Sequence, residues 1–176
     1  KFIGQVYSGS TATRLAAELG WTVKPDGNHW RRVVPSPAPI EFVELGSIKT
    51  LIDSGTLVVC AGGGGVPVVR TARGLDGVEA VIDKDRAAAL LARHLGADAL
   101  LLLTDVPGVE LDFGTPQARR IGRVSTTEVR TMSFPDGSMG PKIRAACDFV
   151  DAGGSFAAIG ALDSALDLSE QRGGTI

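Results

Sequence analysis

Leu57-Val58-Val59-Cys60-Ala61-Gly62-Gly63-Gly64-Gly65-Val66-Pro67 sets five apolar residues against four glycines and closes on Val-Pro. The apolar run predicts a strand covered on both faces, and the glycines predict the loop at its carboxyl end. Glycine lacks the Cβ that keeps a ligand off the backbone, and successive N–H groups in such a loop can turn inward around a phosphate or carboxylate. A plain tight turn is the competing reading, because glycine is the default turn residue.

Outward from this stretch, helix and strand patterns alternate. Residues 44–54 carry Leu45, Ile48, Leu51 and Ile52 at helical spacing, ahead of the Leu57 to Ala61 strand. Ala87 to Leu95 reads as a helix closed by Gly96, and Ala99-Leu100-Leu101-Leu102-Leu103 as a buried strand that runs into Thr104-Asp105-Val106-Pro107-Gly108. Ile143, Cys147 and Val150 mark a helix ending at Gly153, followed by a Phe156-Ala157-Ala158-Ile159 strand and a last helix near Asp163 to Leu168. Such alternation is the pattern of the α/β class. Upstream, Thr11 to Leu19 reads as a short helix stopped by Gly20. Trp21 to Lys24 and Trp30 to Val34 flank Pro25-Asp26-Gly27-Asn28 as a hairpin, whose two tryptophans are expected to form the core of a small element, with a ligand platform as the competing reading. Pro35-Ser36-Pro37-Ala38-Pro39 favours a stiff, extended connection. The predicted division is a subdomain over residues 5–42 and an α/β part over residues 43–176.

The 176 residues suit one sizeable core, and 44% apolar with 22% charged residues are globular values. A net charge of −2, with Arg31-Arg32 and Arg119-Arg120 as pairs rather than runs, gives no electrostatic case for nucleic acid. No basic region leads into an apolar signal segment, and no apolar stretch approaches the roughly 20 residues that span a bilayer, so a cytoplasmic protein without membrane contact is expected. Cys60 and Cys147 sit in apolar patterns as core residues, and His29 and His94 belong to no metal-type cluster, so no protein-held metal is expected.

Two lysines stand where helix electrostatics disfavour them. Lys84 falls in the first turn of the helix opened by Asp83, and Lys142 follows Pro141, a residue suited to a helix start. A cation there opposes the helix dipole by about 0.3 to 1 kcal/mol, and a bound phosphate reverses that cost. The competing reading has both side chains in solvent. Asp85 can hold two ammonium groups or simply favour the dipole, Asp83 is most simply a helix cap, and Asp105 ends a strand where open α/β sheets bind ligands. The sequence contains no G-x-x-x-x-G-K-[ST], no complete G-x-G-x-x-G and no G-x-S-x-G, which removes P-loop, dinucleotide-binding and serine-hydrolase readings.

Gly20 to Lys24, Trp30 to Pro37, Ala61 to Val68, Glu79 to Asp85, Leu103 to Val106 and Gly137-Ser138-Met139-Gly140-Pro141-Lys142 together resemble carbamate kinase, within the amino-acid kinase superfamily. The resemblance runs along essentially the whole chain. It implies a three-layer α/β/α sandwich, with the hairpin as a protruding subdomain, and reversible phosphoryl transfer between ATP and carbamate that gives ADP and carbamoyl phosphate. Magnesium would ride on the nucleotide phosphates. In arginine-fermenting bacteria this reaction runs towards ATP. By motif, the resemblance makes Lys84, Lys142 and Lys1 the cations for the transferring group and Asp85 their orienter. Thr104, Asp105 and Val106, with Gly137, Ser138, Met139 and Gly140, would line the nucleotide, and Gly63 and Gly64 would face carbamate or the phosphoryl group. A cytoplasmic homodimer is implied as well.

The resemblance has two departures. The family's upstream first strand and Gly-Gly-Asn-Ala type loop have no counterpart here, while Gly173-Gly174-Thr175-Ile176 resembles the family terminus; the N-terminal half of the fold is expected to be absent, with an exposed sheet edge in consequence. Glu110-Leu111-Asp112-Phe113 stands where the family often has an aromatic beside the nucleotide. Two other functions stay open: a non-catalytic module that binds nucleotide or phosphate, and a related amino-acid kinase with another acceptor.

Overall fold

Ser8 caps the first helix by accepting a hydrogen bond from the Thr11 N–H at 3.3 Å, which satisfies one donor that the helix leaves unpaired, and Gly20 ends it at φ 67°. The structure, a computed structural model, describes residues 1–135 and 137–176. They form two compact units, Lys1–Ala38 with Gly65–Asp83, and Pro39–Gly64 with Lys84–Ile176.

In the first unit, β1 (Phe2–Tyr7), α1 (Gly9–Leu19), β2 (Val23–Asp26) and β3 (His29–Val33) give an antiparallel sheet in the order β1-β3-β2. The expected hairpin forms, with strand pairing continuing through Pro25↔Trp30 to Asp26↔His29, so the turn is only Gly27-Asn28. Trp21 is half-buried, its ring 6.3 Å from Tyr7 and beneath the Arg32 guanidinium at 4.7 Å, whereas Trp30 is exposed, so the expected core of two tryptophans is not formed. Strand β1 was not expected from the sequence. It carries a bulge between Ile3 and Tyr7, with Gly4 at φ 67°. β4 (Val68–Thr71) and β5 (Gly74–Gly77) form a second hairpin, and the Val81 N–H donates to the Pro35 carbonyl at 3.0 Å. Gly65–Asp83 thus returns to the first unit, whereas the sequence division at residue 42 assigns it to the α/β part.

The second unit holds α2 (Leu45–Asp53), α3 (Lys84–Leu95), β6 (Ala99–Thr104), β7 (Glu110–Leu111), β8 (Arg119–Arg120), α4 (Thr126–Val129), α5 (Met139–Asp151), β9 (Phe156–Ala161) and, after a short 3-10 turn, α6 (Ala165–Ser169). β6 and β9 pair in parallel from Ala99↔Phe156 to Thr104↔Ala161, and α3, α5 and α6 pack on them. Leu100, Leu102, Val109, Ile143, Cys147, Phe149 and Ile159 make the core. Thr175 Oγ1 accepts from the Val109 N–H at 2.9 Å and donates to the Ile121 carbonyl, which ties the chain terminus to this core.

Leu57–Ala61 is not a strand. Leu57 and Val59 are 93% and 94% exposed, and Cys60 is half-buried in a loop rather than in the core. A strand needs a neighbouring strand for its N–H and C=O groups, and among the described residues no strand pairs with this segment. Its apolar sequence meets the requirement for burial, but the pairing that would bury it is missing.

Candidate functional site

In the second unit, topology gathers the expected chemistry at one end of the sheet. α3 enters β6, and α5 enters β9, through turns too short for a crossover, so each helix runs back along its strand. The 12-residue α3 is about 18 Å long and the six-residue β6 about 20 Å, so the first turn of the helix lies level with the carboxyl end of the strand. Lys84 and Asp85 on α3, Met139 to Lys142 on α5, and Thr104 at the end of β6 therefore share that end, the edge at which open α/β sheets take ligands.

α3 and α5 pack against each other, and at their contact Lys142 Nζ lies 3.1 Å from both Asp85 oxygens. Lys84 Nζ approaches Asp85 Oδ1 at 2.8 Å, so one carboxylate oxygen serves two ammonium groups. Asp85 is 6% exposed and Lys142 8%, whereas Lys84 extends into solvent. Burial, followed by the neighbouring Lys84 ammonium, pushes the Lys142 pKa down, and Asp85 opposes both. With two cations and one carboxylate, the cluster carries a formal surplus of one positive charge at a helix-start edge. Chemically this is a holder for a dianionic group, which would relieve the repulsion between the two lysines.

The entry to α5 is built tightly. The Ser138 and Gly140 N–H groups both donate to the Pro135 carbonyl, at 3.3 and 3.0 Å, and Pro141 has no N–H to offer. A Cβ at Gly140 would stand 3.0 Å from that carbonyl, so a side chain there would crowd the turn. Two N–H groups at this helix start, those of Ser138 and Gly140, are thus committed within the protein, and Lys142 brings a full positive charge to the same entry. The glycine loop behaves similarly: Gly62 N–H bonds the Cys60 carbonyl at 2.8 Å and Gly64 N–H the Ala61 carbonyl at 2.9 Å. Gly63 is exposed and Gly64 buried. Thr104 Oγ1 donates to Asp105 Oδ1 at 3.0 Å; Asp105 is exposed and Val106 half-buried, and Gly137 and Ser138 are exposed ahead of α5.

Lys1 belongs to the first unit. There its Nζ pairs with Asp83 Oδ2 at 2.6 Å, so the buried Asp83 carboxylate holds a lysine in addition to standing ahead of α3. Sequence reading gave Asp83 only a capping role. The available signal was its place in Asp83-Lys84-Asp85, opposite a second carboxylate expected to orient lysines. A cavity of about 330 Å³ lined by Cys147, Val150, Phe156 and Ile159 contains none of the expected site residues.

Residues 4–160 match the model of the amino acid kinase family. The chain belongs to that family. It is 49% identical to a carbamate kinase of Rhizobium meliloti over its whole length, covering 55% of that protein, and 46% identical to one of Thermococcus kodakarensis, with 99% of the chain covering 57% of it. Among solved structures, the carbamate kinase of Giardia lamblia bound to AMP-PNP superposes with a TM-score of 0.89 at 41% identity, over 99% of this chain and 57% of that one. The chain thus spans a little over half the length of the relatives it matches. Its α/β architecture is that of an amino acid kinase.

Proposed function

We propose that this amino acid kinase chain is the nucleotide-binding part of a carbamate kinase, catalysing ATP + carbamate to ADP + carbamoyl phosphate and the reverse. The observation that carries this reading is the buried Asp85 carboxylate with Lys142 and Lys84 upon it, at the ligand edge of the sheet. The similarity to carbamate kinases at 43 to 49% identity supports the acceptor. In the ATP-forming direction an oxygen of the ADP β-phosphate attacks the phosphorus of carbamoyl phosphate, the bond from phosphorus to the carbamate oxygen breaks, and carbamate leaves with the electron pair. Such in-line transfer depends on alignment and charge neutralisation more than on covalent help. Lys142 and Lys84 hold the phosphoryl oxygens, and Asp85 keeps the two ammonium groups together while the site is empty of anion. Thr104, Asp105, Val106 and the Gly137 to Gly140 loop line the nucleotide, Gly63 and Gly64 face carbamate or the phosphoryl group, and Lys1 is the further cation of this reading.

Among the described residues no group of three or more His, Cys, Asp or Glu is arranged to hold a metal ion. In this reading magnesium comes with the nucleotide phosphates, as part of the substrate. No helix among the described residues is long and apolar enough to cross a membrane. The reading includes a cytoplasmic homodimer acting in arginine metabolism, for which light scattering is the direct test of the dimer.

The deciding experiment is ATP formation from ADP, magnesium and carbamoyl phosphate by this chain and by Lys142→Ala. Turnover that falls about 10²- to 10³-fold in the variant supports the reading. A second reading, nucleotide binding without turnover, is favoured by one observation, the unpaired Leu57–Ala61 segment of a chain that spans little more than half of its relatives. Tight ADP binding with no ATP formed selects it. Acetate or glutamate phosphorylation in place of carbamate would assign another acceptor.

A further inference from the structure

Asp83-Lys84-Asp85 sets a buried carboxylate on each side of an exposed lysine, and each carboxylate holds a second lysine from far along the chain. Asp85 holds Lys142, 57 residues away, in the second unit; Asp83 holds Lys1, 82 residues away, in the first. Asp83 is 8% exposed, and its Oδ2 meets Lys1 Nζ at 2.6 Å, a short, charge-assisted contact. The base of the same side chain is fixed as well. Lys1 N donates to the Val34 carbonyl at 2.8 Å, and the Val34 N–H donates to the Lys1 carbonyl at 3.0 Å. A lysine stem has four rotatable carbons, and holding both of its ends selects one direction for the ammonium. Because Lys1 itself is exposed, the pair is screened by water and is a weak device for stability. The buried carboxylate gives direction instead.

We propose that Asp83 is a positioning residue for phosphoryl transfer, fixing the Lys1 ammonium as Asp85 fixes that of Lys142. This rests on the carbamate kinase reading and on the part of Lys1 in it. Asp83 touches no substrate; it acts through Lys1.

The test is a double-mutant cycle on ATP formation from carbamoyl phosphate and ADP, with a thermal melt of every variant. Asp83→Asn, which keeps size and removes charge, should lower kcat tenfold or more and leave KM for ADP within twofold. It should cost nothing further in a Lys1→Ala background, since both changes act through one ammonium. Asp83→Glu should recover part of kcat. Wild-type kcat in Asp83→Asn, or an equal loss with and without Lys1, overturns the inference and leaves the kinase reading standing. Absence of turnover in the unmodified chain is instead a failure of that reading for this chain. The inference is then decided by acylation of Lys1 Nζ, followed by mass spectrometry. Faster modification in Asp83→Asn supports the anchoring, and equal rates in the two proteins overturn it.

Discussion

Lys142 concentrates the electrostatic argument in one side chain. Burial and the Lys84 ammonium lower its pKa from the ordinary 10.5, and Asp85 is the group that keeps it charged. In the interval between the lowered folded value and the unfolded one, the unfolded chain holds a proton that the folded chain has released. Stability contributed by Lys142 therefore rises with pH across that interval, and below it the buried ammonium is a constant cost. The urea midpoint of the wild type minus that of Lys142→Met should accordingly grow as pH climbs towards about 10.5; a flat difference would show that Lys142 titrates like an exposed lysine. Phosphoryl transfer has the opposite dependence, since only the ammonium attracts the anion. Activity should fall as pH rises through the lowered value, and Asp85→Asn, which removes the raising partner, should move that basic limb to lower pH. Titration of ¹³C-labelled lysine reads the same shift without requiring turnover.

At the scale of elements, the join of α5 to β9 is the most constrained point. Phe149 is fully buried on α5, and a Cβ at Gly154 would overlap its ring. Gly154→Ala should destabilise the chain by about 1 to 3 kcal/mol, seen as a lowered melting temperature, because the ring must leave its packed position. Ser8→Ala, which removes the α1 cap, should cost about 0.5 to 2 kcal/mol. These elements also show what was legible in the sequence. Ala99–Leu103, Phe156–Ile159 and the helix around Ile143, Cys147 and Val150 were readable because their apolar spacing matches burial that this chain supplies. β1 was not readable: its partner β3 lies some 25 residues on, and Phe2-Ile3-Gly4-Gln5-Val6-Tyr7 is broken by a bulge between Ile3 and Tyr7. In the site, the cluster of Lys84, Asp85 and Lys142 followed from motif and helix-start logic. The pairing of Asp83 with Lys1 spans 82 residues, and no local pattern encodes it.

For the molecule as a whole, Leu57–Ala61 separates local propensity from tertiary support. Its composition is as strand-like as that of Ala99–Leu103, yet β6 has β9 to pair with and residues 57–61 have no strand partner among the described residues. Burial of apolar surface is worth about 25 cal/mol per Å² only where a neighbour removes the water, and Leu57 and Val59 are left in it. Amides of residues 57–61 should therefore exchange with solvent without protection while those of β6 and β9 exchange slowly. Leu57→Lys combined with Val59→Lys should change stability by no more than about 0.5 kcal/mol, as surface substitutions do, and should lower the fluorescence of a dye that binds exposed apolar surface. Leu102→Lys, placed in the core, should unfold the second unit. If the paired change at 57 and 59 were as damaging as the one at 102, the segment would have to be buried in solution, and the chain would be supplying the missing strand neighbour by associating with a further polypeptide, most simply a second copy of itself.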